Sequence, residues 1–476
     1  MGFFTELRRQ ARERGGADAV VSDGASISHA ALLNRVEAGA EVLLAQGIDG
    51  RSTVGVTIAN EVEHLIASLA LLVVGARHVT LATHDSEPLR DAVARRVRVT
   101  HRLVRGEAPD LPDGTYIQWR PDNATNSDVA LRLPGGTGTV YLKTSGTTGG
   151  MNIVAFVEEQ LAEQSQRHAE YAHERLLRLA SIEHNNSKRH RLYCAYAGGT
   201  NVFRPIGDVD IVAFCAAHNV SCLDISRMHA SDLAARGNNA GLAGVKLRTG
   251  GSAIPIDVRR DIERQVTPLL FVRYAATECG AIAMALPGQH DEDESVGRPL
   301  PGVELEIVDA NGSPVPAGAT GHVRLRAGGM ATGYFESPDD SASRFRDGWF
   351  WPGDIGRLRS DGSLVVSGRK DDMMILNGLN IFPVEIERVL ERHPAVSVAA
   401  ALPLASVVHG QIPVAAVELR KGHATTPAEL SAYAREHLAL RAPRRILIMD
   451  ALPRNSQGKI MRREIALAFR PERKSQ

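Results

Sequence analysis

The sequence predicts an α/β fold: a large N-terminal domain of doubly wound sheets plus a small β region, followed by a small α+β C-terminal domain. Three observations predict it. Helix-period and strand-period segments alternate from the start of the chain, the pattern of sheets joined by crossover helices. The texture changes at Gly302 to short strands broken by turns, and changes again after Arg369, where two helices alternate with two strands. At 476 residues the chain also exceeds what a single core usually organises. The expected division is residues 1–370 and residues 371–476.

The elements follow in order. Apolar residues at helical spacing span 27–46, residues 52–58 read as a strand, 62–74 as a buried helix and 78–81 as a second strand. The longest apolar run, 65–76, is too short to cross a bilayer. Thr139-Val140-Tyr141-Leu142 reads as a strand entering a loop. Residues 302–325 hold short strands around the turn Ala310-Asn311-Gly312-Ser313. In the C-terminal part, helices are expected at 383–391 and 426–439 and strands at 396–401 and 413–419, with 470–476 a solvated tail.

Composition narrows the function classes. Lys plus Arg and Asp plus Glu both total 55, so no global field draws the chain to nucleic acid or to an anionic membrane. Any anion must be held locally. Cys194, Cys215, Cys222 and Cys279 have neither paired nor metal-ligand spacing and read as reduced thiols. The N-terminus becomes charged too soon for a signal peptide, so a cytoplasmic location is expected.

The most informative stretch is Tyr141-Leu142-Lys143-Thr144-Ser145-Gly146-Thr147-Thr148-Gly149-Gly150. Its glycines let successive backbone N–H groups converge on one anion, and Thr144, Ser145, Thr147 and Thr148 add hydroxyl donors. Alone, such a loop reads equally well as a surface turn. A Walker loop is excluded because Leu142, not glycine, precedes Lys143-Thr144. A dinucleotide fingerprint is excluded because Gly135-Gly136-Thr137-Gly138 runs into a strand rather than a helix.

Further motifs follow the loop: Tyr274-Ala275-Ala276-Thr277-Glu278, Ser295-Val296-Gly297-Arg298-Pro299-Leu300-Pro301-Gly302, Trp351-Pro352-Gly353-Asp354, Ser367-Gly368-Arg369-Lys370-Asp371-Asp372, and Pro453-Arg454-Asn455-Ser456-Gln457-Gly458-Lys459-Ile460. In this order the chain resembles the adenylate-forming superfamily of acyl-CoA ligases, firefly luciferase and peptide-synthetase adenylation domains, and is acyl-CoA ligase-like. The resemblance implies an AMP-forming acid–thiol ligase. A carboxylate attacks the α-phosphorus of ATP, pyrophosphate leaves, and the acyl-adenylate then passes its acyl group to CoA or to the phosphopantetheine of an acyl-carrier protein. Two anions must meet, so charge stabilisation is the main task.

The resemblance also implies roles, residue by residue. The loop from Thr144 through Ser145, Gly146, Thr147, Thr148 and Gly149 holds the β- and γ-phosphates. Thr277 contacts the α-phosphate and Glu278 helps hold Mg2+, which prefers hard oxygen ligands. Tyr274 lies near adenine, with Gly251 and Ser252 on the other side of the base. Asp354 accepts from the ribose hydroxyls and Arg369 adds a second sugar contact. Asp371 is the hinge of a mobile C-terminal domain. Lys459 bridges the acid and the α-phosphate as the catalytic cation.

Two departures set further expectations. Asn152 stands where the loop usually ends in lysine, which removes a cation and opens the alternative of a degenerate, non-catalytic nucleotide-binding protein. Ala275 replaces the usual glycine, tolerable only if the backbone avoids positive φ. The polar run from Ser181 to Arg191 falls beside the expected acid site. There His184, Asn185, Lys188 and Arg189 are candidates to hold a second polar or anionic group, and a basic surface loop is the alternative. A small polar carboxylic acid is therefore expected, with a non-carboxylate oxyanion or a non-thiol acceptor as alternatives.

Overall fold

The computed structural model describes residues 2–22, 24–105, 115–120, 137–145, 151–237, 239–376, 379–406, 410–454 and 460–469. Four sheets organise these residues. One sheet has six strands in the spatial order Thr115–Gln118, His101–Val104, Thr53–Thr57, Arg77–Thr80, Thr139–Ser145 and Met151–Val157. The first five are parallel and the last returns antiparallel. The chain steps outward to both sides of Thr53–Thr57, which is the doubly wound order. It therefore collects the ends of Arg77–Thr80 and Thr139–Ser145 on the edge where such sheets bind ligands.

Local chemistry sets the helix starts. Helix His29–Ala45 begins where the Ser28 hydroxyl accepts from Ala31 N at 3.2 Å, and it buries Leu32, Val36, Ala40 and Leu43 at three- and four-residue spacing. Ile27, expected in this helix, instead belongs to the short strand Ala25–Ser28. Asn60 caps helix Glu61–Val73 by accepting from Glu63 N at 3.0 Å. This helix is buried on nearly every side, so the long apolar run is a core helix. No helix among the described residues is long and apolar enough to cross a membrane.

The second sheet has nine strands. Its six central strands are parallel, in the order Leu270–Ala276, Lys246–Gly250, Cys222–Ile225, Arg175–Arg178, Thr200–Phe203 and Asp18–Ser22. Antiparallel Gly280–Ala285 and Arg298–Pro299 close one edge, and Ala25–Ser28 closes the other. Gly297 has φ +79°, and a Cβ there would sit 1.9 Å from the Met284 carbonyl oxygen, so only glycine lets the Gly297-Arg298-Pro299 segment join this edge. Helix Asn185–Ala197 reaches both large sheets: Lys188 Nζ donates to Thr80 and Arg191 Nη1 donates to the Val202 carbonyl.

The expected small β region is a third sheet, in which Val303–Val308 pairs antiparallel with Gly321–Ala327 and Asp354–Leu358 pairs with Leu364–Arg369. After a single 3-10 turn, Lys370–Asp372, the strand Met374–Leu376 enters the fourth sheet. That sheet includes Val396–Ser406 and Gly410–Leu419, longer than the expected strands, with helices Pro383–Glu391 and Pro427–Leu438 against it. A capping box between Thr426 and Glu429 starts the latter helix. This smaller domain has its own core, including Met374, Ile386, Val417 and Leu430. Ion pairs tie it to the large domain, among them Arg388 Nε–Glu294 Oε2 at 2.5 Å and Arg227 Nη2–Glu391 Oε2 at 2.8 Å.

Candidate active site

Strand Leu270–Ala276 of the nine-stranded sheet and strand Asp354–Leu358 of the small sheet bring Tyr274 and Asp354 together. The Tyr274 hydroxyl donates to Asp354 Oδ2. Arg369 lies opposite Asp354 in register, with Nη1 3.9 Å from Asp354 Oδ1 and Nη2 donating to the Pro352 carbonyl at 3.0 Å. Burial raises the Asp354 pKa, opposed by the Arg369 charge and the Tyr274 hydrogen bond. The Tyr274 phenol is pushed far upward by burial and by the Asp354 carboxylate, so it remains a donor. The result is a buried carboxylate held in place to accept hydrogen bonds. Gly250 is in register with Arg273, next to Tyr274; a Cβ at Gly250 would sit 2.4 Å from the Arg273 carbonyl oxygen. Gly251 has φ +85°, and Ser252 beyond it is exposed.

The turn that follows this strand carries Thr277 and Glu278. Ala275 is not among the residues with positive φ, so its methyl group carries no backbone strain. Arg189 holds the end of the strand: Nη1 donates to the Thr277 carbonyl at 2.6 Å and Nη2 to the Ala276 carbonyl at 3.5 Å. Glu278 is 8% exposed, accepts from the Tyr334 hydroxyl at 2.8 Å through Oε1, and its carbonyl accepts from Ala331 N at 2.7 Å. Among the described residues no cluster of three or more His, Cys, Asp or Glu could hold a metal. Glu278 thus fits Mg2+ as a single carboxylate ligand, because Mg2+ commonly takes its remaining ligands from phosphates and water.

Thr144 lies near the end of strand Thr139–Ser145, directly across the hairpin from Asn152, and Ser145 is the last residue of that strand. Gly146, Thr147, Thr148 and Gly149 lie outside the described residues, as does Lys459. Lys143 Nζ pairs with Asp85 Oδ2 at 2.6 Å, so its charge is already matched.

The polar run beside the loop is not a surface loop. Asn185–Ala197 is a helix in which every residue from Ser187 to Tyr196 is buried. Asn185 Nδ2 donates to the Lys143 carbonyl at 2.5 Å, which sets the helix start against the phosphate-loop strand. His184 precedes it, its ring 4.8 Å from that of His84, and burial with the His84 charge lowers its pKa to about 4. Lys188 and Arg189 are placed differently from His184 and Asn185. The Lys188 amine is 1% exposed and donates to Thr80 Oγ1 at 3.1 Å, while the Arg189 guanidinium is spent on backbone carbonyls.

Sequence reasoning passed over Thr83, His84 and Asp85, and gave Glu183 no role. Glu183 accepts from Thr83 N at 2.7 Å and Thr83 Oγ1 at 2.8 Å, and lies 3.3 Å from His84 Nδ1. The signal for the first three was their place just beyond the C-terminal end of strand Arg77–Thr80. Asp371 Oδ2, in the turn between the domains, pairs with Arg344 Nη2 at 2.7 Å.

Known proteins resemble the chain over most of its length. Residues 7–335 match the family model for the AMP-binding enzyme, and residues 385–459 match that for the AMP-binding enzyme C-terminal domain. An indoleacetate–CoA ligase of Aromatoleum aromaticum is 27% identical over 96% of both chains. A 2-succinylbenzoate–CoA ligase of Geobacillus kaustophilus is 34% identical over 45% of this chain, a match that spans only 44% of that relative. The fold matches ATP-bound MatB from Rhodopseudomonas palustris with a TM-score of 0.87, covering 98% of this chain and 99% of that one at 23% identity.

Proposed function

The chain belongs to the AMP-binding enzyme family of adenylate-forming CoA ligases, and from that premise we propose that it activates a small polar carboxylic acid with ATP. The acid oxygen attacks the α-phosphorus, the bond to the bridging oxygen of pyrophosphate breaks, and an acyl-adenylate forms. The thiol of CoA or of a carrier protein's phosphopantetheine then attacks the acyl carbon, the bond from that carbon to the phosphate oxygen breaks, and AMP leaves as the thioester forms.

The observation that carries this reading is the convergence of Tyr274, Asp354 and Arg369 on one side of a strand end whose other residues, Ala276 to Glu278, are held by Arg189 and Tyr334. Asp354 would accept from the ribose hydroxyls, and Arg369 would add a sugar contact. Tyr274 would fix the Asp354 carboxylate while its ring faces adenine beside Gly251 and Ser252. Thr277 would donate to the α-phosphate from a backbone that Arg189 keeps from moving. Mg2+, held through Glu278 and phosphate oxygens, would neutralise charge on the leaving pyrophosphate. The loop from Thr144 to Gly149 would cradle that pyrophosphate.

We place the adenylation domain at residues 1–370 and the C-terminal domain at residues 371–476, with Asp371 as hinge and Lys459 as the cation carried to the reacting oxygens. His184 and Asn185 would line the acid side. Lys188 and Arg189, expected there from sequence, would support the site from beneath and through the Thr277 backbone. Four buried free cysteines suit a cytoplasmic location.

Pyrophosphate exchange over a panel of acids tests the reading, with Lys459→Ala expected to abolish exchange while ATP binding persists. Nucleotide binding without exchange for any acid would instead favour the second reading that Asn152 motivates, a member that holds nucleotide without turnover.

A further inference from the structure

The C-terminal domain fastens onto the part of the large domain that follows strand Lys246–Gly250. Arg388 and Glu391 stand three residues apart on helix Pro383–Glu391, so they share a face. Arg388 pairs with Glu294 of the large domain, and Glu391 pairs with Arg227. Each domain thus offers the other one arginine and one carboxylate. Both carboxylates are buried, the Glu294 side chain at 3% exposure and that of Glu391 at 6%, where water and salt screen an ion pair little.

The two partners in the large domain also hold residues 253–256. Arg227 Nη1 donates to the Ala253 carbonyl at 3.3 Å. Glu294 Oε1 accepts at 3.2 Å from the backbone N–H of Ile256, the first residue of helix Ile256–Gln265. Between these points Arg259 Nε donates to the Ile254 carbonyl at 2.9 Å, and Arg259 Nη2 donates to the Glu294 carbonyl at 3.0 Å. The latter bond steadies a residue whose φ of +55° lies in the left-handed region that side chains disfavour. Ala253 directly follows Gly251 and Ser252, the residues expected beside adenine. All three are exposed, so packing alone does not fix them.

We propose that Arg227 and Glu294 are positioning residues through which the C-terminal domain sets the grip on the base. With Arg388 and Glu391 docked on them, residues 251–256 are held in shape for adenine; when the domain swings away, the grip slackens. Nucleotide affinity and domain orientation are then linked, and such linkage is reciprocal, so bound nucleotide also keeps the domain docked. This coupling rests on the reading above that adenine lies beside Gly251 and Ser252, and it adds a control exerted from the other domain.

The test uses the full-length protein. Arg388→Met and Glu391→Gln each cut one tie from the C-terminal side, and if one variant does not fold the other decides. Calorimetry gives Kd for ATP with Mg2+. Trypsin cleavage after Lys370, an exposed residue in the turn between the domains, reports how firmly the domain stays docked. Saturating ATP should slow cleavage of the parent about threefold or more. Each variant should bind ATP about threefold or more weakly, and ATP at saturation should no longer protect its turn.

An unchanged Kd in the variants that fold, a parent that ATP does not protect, or variants protected as fully as the parent overturns the coupling and leaves ATP binding standing. A parent that binds no ATP removes the nucleotide reading and the coupling together.

Discussion

Replacing Lys188 with methionine should stabilise the protein, by an amount that depends on pH. The Lys188 amine is 1% exposed, and burial alone lowers its pKa from 10.5 to about 7. Its neighbours His64 and His78 are themselves held neutral, His64 at about 3, by burial and by the Lys188 charge. The folded pKa lies below the unfolded one, so the unfolded chain binds more protons between the two values and stability rises with pH across that window. Below the folded pKa the whole penalty applies; at about 1.36 kcal/mol per unit it amounts to roughly 5 kcal/mol.

Methionine abolishes that penalty and forfeits the Thr80 hydrogen bond, worth about 1 kcal/mol. The net gain is about 4 kcal/mol at about pH 6 and close to zero at about pH 10. Urea unfolding of both proteins at the two pH values measures it. A difference that does not change with pH, or a methionine variant less stable than the parent at the lower pH, would refute the reasoning.

Three other outcomes follow from the site. Tyr274→Phe keeps the ring but removes the donor to Asp354, and should raise KM for ATP by about 10-fold or more; an unchanged KM would detach this pair from nucleotide binding. Arg189→Met frees the Ala276 and Thr277 carbonyls and should slow pyrophosphate exchange by about 30-fold, mostly in kcat. A loss confined to KM would mean that the strand end holds its place unaided. Asn152→Lys puts a cation opposite Thr144 and should lower KM for ATP by about 10-fold; no change would show that the triphosphate does not reach the hairpin.

Much of the fold was legible because burial in the large domain follows the ordinary periods. Helices His29–Ala45 and Glu61–Val73 carry their apolar faces in the sequence, and the capping box at Thr426 marks its helix from local chemistry alone. Strand Asp18–Ser22 was not legible, since it is completed by Thr200–Phe203, far away in the chain. The ordered motifs led to Tyr274, Asp354 and Arg369, which meet one another, and to Glu278, which meets Tyr334. The helix after His184 reads as solvated because its charges find partners inside: Arg191 with Glu61 at 3.5 Å and Arg189 with carbonyls of a distant strand. Hydropathy reports what water would prefer, and it misleads wherever the interior is itself polar. The same limit hid the buried meeting of Asp224 with Arg178 and Arg273, whose strands are far apart in the chain.

Helix Asn185–Ala197 is bolted to Thr80 through Lys188, to Thr277 through Arg189 and to Val202 through Arg191. A strut fastened at three such points does not flex at one end alone. Swapping a residue on it to admit a different acid would therefore disturb how the nucleotide is gripped, and breadth of diet would have to be bought with slower turnover or with matching changes in both sheets.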